Sequence, residues 1–557
     1  LRKADSLSTG YNWRDNTWEI IVKYSGSLES IRNRYNVYIK ELLNYYAIIV
    51  ADKATIELIS QEDVIDYVEK PKSLYYQIER TKTAACVGSV RADGNILSGK
   101  GVIVGVIDTG IDIFDNAFRN SDGTTRILNI YDQTTGEKYD KQSIDEYIRL
   151  NEDLSGGTFS YDNAPGVDNI MHGTDVSYIA AGSLGVAYEA DIIAVKMGYS
   201  INNQFPRTTS LMDAIDYIIR KAIEYRKPVA VNISYGCNYG AHNGNTLLES
   251  FIDDISKSYR CVICVGSGNE ADKAIHFGGI INTGQVQTAY LSVGEYQSAI
   301  DIQIWKNYWD TIDVMLINPR GEQIGIITEG RINRYETYNT EIITLLGEPS
   351  PYNIYQEIYI NLIPKTDYIL SGIWQIVLMA GSIRAGEYNI WLPSSQALGY
   401  ATAFNNPTAD GTITIPATAR NCIAVGAYNA YTNSYAAFSG RGFDNSIRNV
   451  NAGVKPDITA PGVDISIARQ RGNDITYRNV TGTSYAVPVV TGAAALLMQW
   501  GIVMGNDRFM YGEKLKAALI DGSKPVGLVG ITRNDNQPDP RTGWGAVCLK
   551  NTLNKIL

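Results

Sequence analysis

Gly101-Val102-Ile103-Val104-Gly105-Val106-Ile107-Asp108-Thr109-Gly110 is an apolar run that ends in a carboxylate and a turn glycine. A run without polar alternation reads as a strand buried on both faces, as in parallel sheets covered by helices. In open α/β sheets functional groups gather at the carboxyl ends of strands, which is where Asp108 stands. The pattern repeats downstream. Residues 190–196, 229–234 and 261–265 read as strands, and 172–183, 209–225 and 246–258 as helices. The second of these helices spaces Leu211, Ala214, Ile215, Ile218, Ile219 and Ala222 close to the helical period. Strands alternating with helices imply an α/β fold with a doubly wound parallel sheet. Polar material at 119–168 is expected to interrupt it, and the pattern resumes at 422–427, before an Ala- and Leu-rich helix from Thr483 to about Trp500.

The flanking stretches differ. A strand over 18–24, a helix over 27–35 capped by Ser27, extended segments around Leu42-Leu43-Asn44, a helix over 55–61 and a strand over 64–68 give the order βαββαβ. That order predicts a two-layer, ferredoxin-like α+β module, followed by a linker over 73–90. Residues 280–410 hold strand patterns at 302–309, 312–317, 358–362, 374–380 and 387–392, with no long helical period. They are expected to form an inserted all-β jelly roll that packs on the core around Trp305, Trp309 and Trp374. The expected division is 1–77, 78–279, 280–410 and 411–557.

With 557 residues the chain has room for several domains, and its net charge of −10 argues against nucleic acid as a partner. No window of about 18 consecutive apolar residues occurs, so no membrane span is expected. The first residues, Leu1-Arg2-Lys3-Ala4-Asp5, carry no apolar core of a signal peptide. The six cysteines lie far apart, unlike a disulfide-stapled scaffold. Cys261 and Cys264 sit in an apolar run and face opposite sides of a strand, and no second pair has ligand spacing, so no metal site is expected.

Only three histidines, His172, His242 and His276, could serve a mechanism that needs one. His172-Gly173-Thr174-Asp175-Val176 opens a helix, and Gly173 permits close backbone approach. Ser484 follows a glycine turn at the start of the long apolar helix, where partial positive charge favours a developing anion. Asn269, in Gly266-Ser267-Gly268-Asn269-Glu270-Ala271, is a candidate donor to an oxyanion. Each has an ordinary use as well: a turn aspartate, a helix-start histidine, an N-cap serine and, for 266–271, a dinucleotide loop. Asp-Thr-Gly also resembles an aspartic-protease signature, but that chemistry needs a second carboxylate of the same kind, which is absent. The order Asp108…His172…Ser484 on a parallel sheet is one of three unrelated orders known for a Ser-His-Asp triad.

With Asn232-Ile233-Ser234-Tyr235-Gly236, Phe438-Ser439-Gly440-Arg441-Gly442, Lys455-Pro456-Asp457-Ile458-Thr459-Ala460-Pro461-Gly462 and Gly482-Thr483-Ser484-Tyr485-Ala486-Val487-Pro488, these motifs resemble the subtilisin-like serine proteases, peptidase family S8. The resemblance implies acyl transfer without a cofactor, with Ser484 as nucleophile, His172 as base, Asp108 as its partner, Asn269 in the oxyanion hole and Ser234-Tyr235-Gly236 beside a protein or peptide substrate. Tyr485 departs from the methionine usual after the nucleophile, which implies altered packing behind Ser484. The N-terminal module resembles the family's prodomain. Together with the β insertion, it makes the chain resemble the Csp germination proteases of clostridial spores. That implies a spore-associated enzyme that cleaves a cortex-lytic zymogen and keeps its cut prodomain bound as an inhibitory partner. Counting back from Asp108 to where mature subtilases begin points to autocleavage within about 73–86, with Gln77 as the P1 residue. Two other readings stay open: a catalytically silent scaffold that senses a germinant, and an NAD-dependent enzyme using 266–271.

Overall fold

The computed structural model describes residues 10–12, 15–72, 75–76, 86, 91–92, 95–152, 163–198, 205–325, 332–443, 453–471, 474–527 and 538–557. Its central sheet runs in the order Glu137–Asp140, Ile127–Asp132, Asp191–Lys196, Ile103–Asp108, Val229–Ile233, Cys261–Gly266, Ile423–Asn429, with Ser434–Tyr435 and Ile458–Val463 both paired to the last. Apart from the outer Glu137–Asp140 and Ser434–Tyr435, the pairs are parallel. Ile103 and Ile107 point into one apolar core, and Val104 and Val106 into the other. Cys261 and Cys264 divide between the two cores in the same way. Burial pushes both thiols up to about 12, so they stay protonated and inert.

One expectation fails here. Ile127–Asp132, in the stretch read as a polar interruption, is a fully buried parallel strand. Its polar side chains hid it, and each finds a partner inside. Tyr225 Oη donates to Asn129 at 2.8 Å, Tyr131 Oη donates to Asp213 at 2.9 Å, and Asp132 pairs with Lys196 at 3.3 Å.

Helices Thr208–Tyr225 and Leu247–Ser258 cover one face of the sheet, and His172–Ala181 and Thr483–Met498 the other. All of Thr483–Met498 is buried, which is why it is apolar on every side. With its continuation to Val503 it is long and apolar enough to cross a bilayer, but 89% of its most apolar window is inside the fold, as in a core helix. Cys86 and Cys548 form a disulfide.

The N-terminal module has the expected βαββαβ order: Thr17–Tyr24, Glu29–Tyr35, Tyr38–Glu41, Tyr46–Ala51, Lys53–Ile59 and Ile65–Glu69. It seats on the two helices of the first face and completes their ends. Glu69 Oε2 accepts the N–H of Leu247 at 3.0 Å, and the Lys72 carbonyl accepts that of Thr208 at 2.6 Å. These are first-turn N–H groups that their own helices cannot pair, and a carboxylate there also meets the positive helix end. Tyr46 packs edge-on to Phe251 at 5.1 Å, and Asp216 accepts the Leu43 N–H at 2.9 Å.

Between His276 and Phe404 two antiparallel sheets face each other over a shared apolar core. Trp374 lies inside this sandwich and Trp309 is 43% exposed, so neither docks it on the protein's main core. Trp391 does. Its ring stacks between His242 at 4.1 Å and His276 at 4.9 Å, and its indole N–H donates to the Gly411 carbonyl at 2.8 Å. Burial pushes His242 down to about 4, so the stack holds a neutral ring. Trp391→Ala removes both stacks and the hydrogen bond, and should destabilise the protein by about 3–5 kcal/mol in urea unfolding.

Candidate active site

Asp108 is the last residue of its strand and fully buried. His172 is the first residue of its helix and 2% exposed. Two glycines bring them together. Gly110 has φ +132, and a Cβ there would lie 2.4 Å from the Gly166 carbonyl. A Cβ on Gly173 would lie 2.3 Å from the Gly110 carbonyl and 2.9 Å from Asp108 Cβ. Only a bare backbone lets the helix start touch the strand end.

His172 Nδ1 then donates to Asp108 Oδ1 at 2.6 Å, and the Thr109 N–H donates to the same oxygen at 2.8 Å. That bond assigns the tautomer and leaves Nε2 as the acceptor. Nε2 is buried and has no hydrogen-bond partner among the described residues. Burial opposes the imidazolium, but Asp108, then Asp175 and Asp168, outweigh it and hold the His172 pKa above its ordinary value.

Ser484 is the second residue of the long apolar helix, after Gly482 with φ 148. Its neighbour Tyr485 lays its ring 5.3 Å from that of His172, so the substitution noted in the sequence packs against the imidazole itself. Asn269 Oδ1 accepts from Thr483 N–H at 3.0 Å and Thr483 Oγ1 at 3.1 Å, which orients the Nδ2 end as the donor. Ser234 Oγ donates to the Ser484 carbonyl at 3.3 Å. Tyr235–Gly236 pairs antiparallel with Tyr75–Tyr76: Tyr76 opposite Tyr235 and Tyr75 opposite Gly236. Gln77 lies outside the described residues.

The structure thus brings Asp108 to His172, and Asn269 and Ser234 to the start of the Ser484 helix. His242 and His276 belong to the Trp391 stack. Residues 266–271 do not open a helix; they lead to the strand His276–Ile280, which removes the dinucleotide reading.

Asp168 was missed by sequence reasoning. Fully buried, it accepts from Thr109 Oγ1 and Met171 N–H at 2.7 Å, and from Thr174 N–H and Oγ1 at 2.8 Å. It caps the His172 helix and ties it to the residue after Asp108. A carboxylate four positions before a helix-opening histidine was the available signal. Glu270, also missed, accepts from Ser394 Oγ at 2.7 Å and Ser395 N–H at 3.0 Å, and so joins the Asn269 loop to the far end of the sandwich.

Residues 99–349 and 385–545 match the subtilase family, and residues 1–72 match the Csp protease B prodomain. The chain belongs to the subtilase family. It is similar to the Clostridium perfringens CspB protease, with 34% identity, a TM-score of 0.73, and coverage of 82% of this chain and 93% of that one. Among curated relatives, it is 33% identical over 128 residues to the subtilase-type proteinase RRT12 of Saccharomyces cerevisiae, and 34% over 120 residues to subtilisin-like protease 10 of Arthroderma otae. These matches take in 22% of this chain, and 23% and 27% of those proteins. The chain thus joins a Csp-type prodomain to a subtilase-family domain.

The raised His172 pKa has a consequence. Imidazolium cannot accept a proton, so activity that uses His172 should fall on the acid side with an apparent pKa above the ordinary value of about 6.5, read from the pH profile of kcat/KM.

Proposed function

We propose that the protein is a serine endopeptidase that works through Asp108, His172 and Ser484 and cuts its own prodomain after Gln77. The observation that carries this reading is the Asp108–His172 bond of 2.6 Å, which leaves a buried Nε2 with no partner among the described residues, on an imidazole 5.3 Å from the Tyr485 ring of the helix that begins Thr483-Ser484. Ser484 Oγ attacks the peptide carbonyl while His172 Nε2 takes its proton. The proton returns to the leaving amine, and an acyl-enzyme remains for water to hydrolyse. Asp108 holds the tautomer and stabilises the imidazolium. Asn269 Nδ2 and the Ser484 N–H face the oxyanion. The intact Asp108–His172 pair speaks against a silent scaffold.

The register of Tyr75–Tyr76 on Tyr235–Gly236 supports self-processing, since it runs the prodomain tail along the substrate strand. The next position in the chain, Gln77, is the residue we assign as P1. Retention of the cut prodomain is supported by its apolar packing on the two helices, Tyr46 on Phe251 among it, because release would expose that surface to water. By resemblance to the Csp germination proteases, we assign the zymogen of a spore cortex-lytic enzyme as the substrate and the spore as the location.

Ser484→Ala should lower kcat by about a million-fold, the loss seen when one triad member is removed from subtilisin, and Asn269→Ala by about 10²–10³, as for its oxyanion donor. Equal activity in Ser484→Ala and wild type would remove the reading. N-terminal sequencing of purified wild type should find two fragments that copurify, the second starting at Ile78, and one intact chain for Ser484→Ala. A cortex-lytic zymogen should be shortened by wild type only.

A further inference from the structure

Three arginines on the hairpin formed by Ile465–Arg471 and Asp474–Val480 reach across to the region where the His172 helix begins. Arg471 Nε meets Asp112 Oδ2 at 2.6 Å, and Arg478 Nη2 meets Asp175 Oδ2 at 3.0 Å. Arg469 does more. Its Nε donates to Asp175 Oδ1 at 3.0 Å, and its Nη2 contacts the same oxygen and donates to the Met171 carbonyl at 2.8 Å. The Arg469 side chain is 11% exposed and that of Asp175 is fully buried.

Met171 immediately precedes His172, and Asp175 lies one turn beyond it. Met171 has φ 66, a left-handed conformation that costs energy for a residue with a side chain and persists only where its surroundings hold it. Its N–H is held by Asp168 at 2.7 Å, and its carbonyl by the Asp175 N–H at 3.2 Å and by Arg469. One guanidinium therefore grips the peptide before the histidine and the carboxylate after it. A general base tolerates little displacement from its line of attack.

We propose that Arg469 is a positioning residue for His172: by spanning Met171 and Asp175 it aims the imidazole at Ser484, an inference that rests on the reading of His172 as the general base.

The same bridge sets the charge around the ring. His172 is faced by Asp108 from its strand, Asp168 from the loop before the helix, Asp175 from its own helix, Tyr485 from the serine helix, and Arg469 and Arg478 beyond Asp175 from the hairpin. Removing an arginine leaves more negative charge at the imidazole and favours its protonation. Removing the Asp175 carboxylate does the reverse.

The test is the pH dependence of kcat and KM for hydrolysis of a peptide substrate, with Ser484→Ala as blank. Arg469→Gln should lower kcat by about 10–100-fold, with KM nearly unchanged, and move the acid limb to higher pH. Arg469→Lys keeps the charge but cannot span both partners, so kcat should fall while the acid limb stays in place. Arg478→Gln, whose side chain is 43% exposed, should move the acid limb upward with a smaller loss of kcat. Asp175→Asn should move it downward. Wild-type kcat in Arg469→Gln, or losses of kcat with no opposite shifts among the charge variants, would overturn the proposal as general loosening of the fold. If Arg469→Gln fails to fold, Arg469→Lys and Arg478→Gln carry the same test. A wild-type protein with no Ser484-dependent hydrolysis would instead overturn the general-base reading, and this inference with it.

Discussion

Backbone against backbone, where Gly173 meets the end of the Asp108 strand, is the contact on which the candidate site depends. It takes Asp108 out of water entirely, and a buried carboxylate is tolerated only with donors on it. The Thr109 N–H and the His172 ring supply them. Closing the gap also buries Asp168 and Asp175 at the same helix start. Three carboxylates around one imidazole would repel one another if left alone. Asp168 is satisfied by the N–H and hydroxyl donors of Thr109, Met171 and Thr174, and Asp175 forms ion pairs with two arginines from a hairpin far along the chain. The hairpin runs directly into the serine helix, so the segment that balances the histidine's charge also sets where Ser484 begins.

The prodomain solves a different problem. Helices Thr208–Tyr225 and Leu247–Ser258 end at the sheet edge with unpaired N–H groups, and the prodomain brings a carbonyl and a carboxylate to them. It also pairs Lys72 with Glu69 at 3.0 Å, and the Lys72 charge acts on the sandwich's Glu357, whose carboxyl burial pushes up to about 7. Tyr67 of the prodomain touches Tyr352 of the sandwich at 4.9 Å. The prodomain thus contacts both other parts of the chain, and Tyr75–Tyr76 beyond it pair with Tyr235–Gly236. The sandwich is anchored on its other side through Trp391 and Glu270, the latter next to Asn269. Each part of the molecule therefore touches an element that carries a candidate site residue.

The parts of the fold legible in the sequence were those whose residues answer to local rules. The run 101–110 is apolar because its strand is covered on both faces, and the βαββαβ order shows in short periodic pieces. Asp108, His172, Ser484 and Asn269 were legible because each sits near a glycine at a strand end, at a helix start or in the loop just after a strand. Ile127–Asp132 was not, because its polar side chains are satisfied by Tyr225, Asp213 and Lys196, which lie far away in the chain. Trp391 could not be told from Trp305, Trp309 or Trp374, since alternation along a strand does not say which neighbour each face meets.

By itself the sequence determined the order of strands and helices, the positions of the candidate site residues along it, and the family they resemble. The tertiary structure alone decided that Asp168 caps the His172 helix, that Arg469 and Arg478 neutralise Asp175 across 294 and 303 residues of chain, and that Tyr485 lies against the imidazole. The reason is that helix and strand propensity act between near neighbours in the chain. Desolvation instead acts on whatever the folded backbone brings together, and a buried charge must find its partner there.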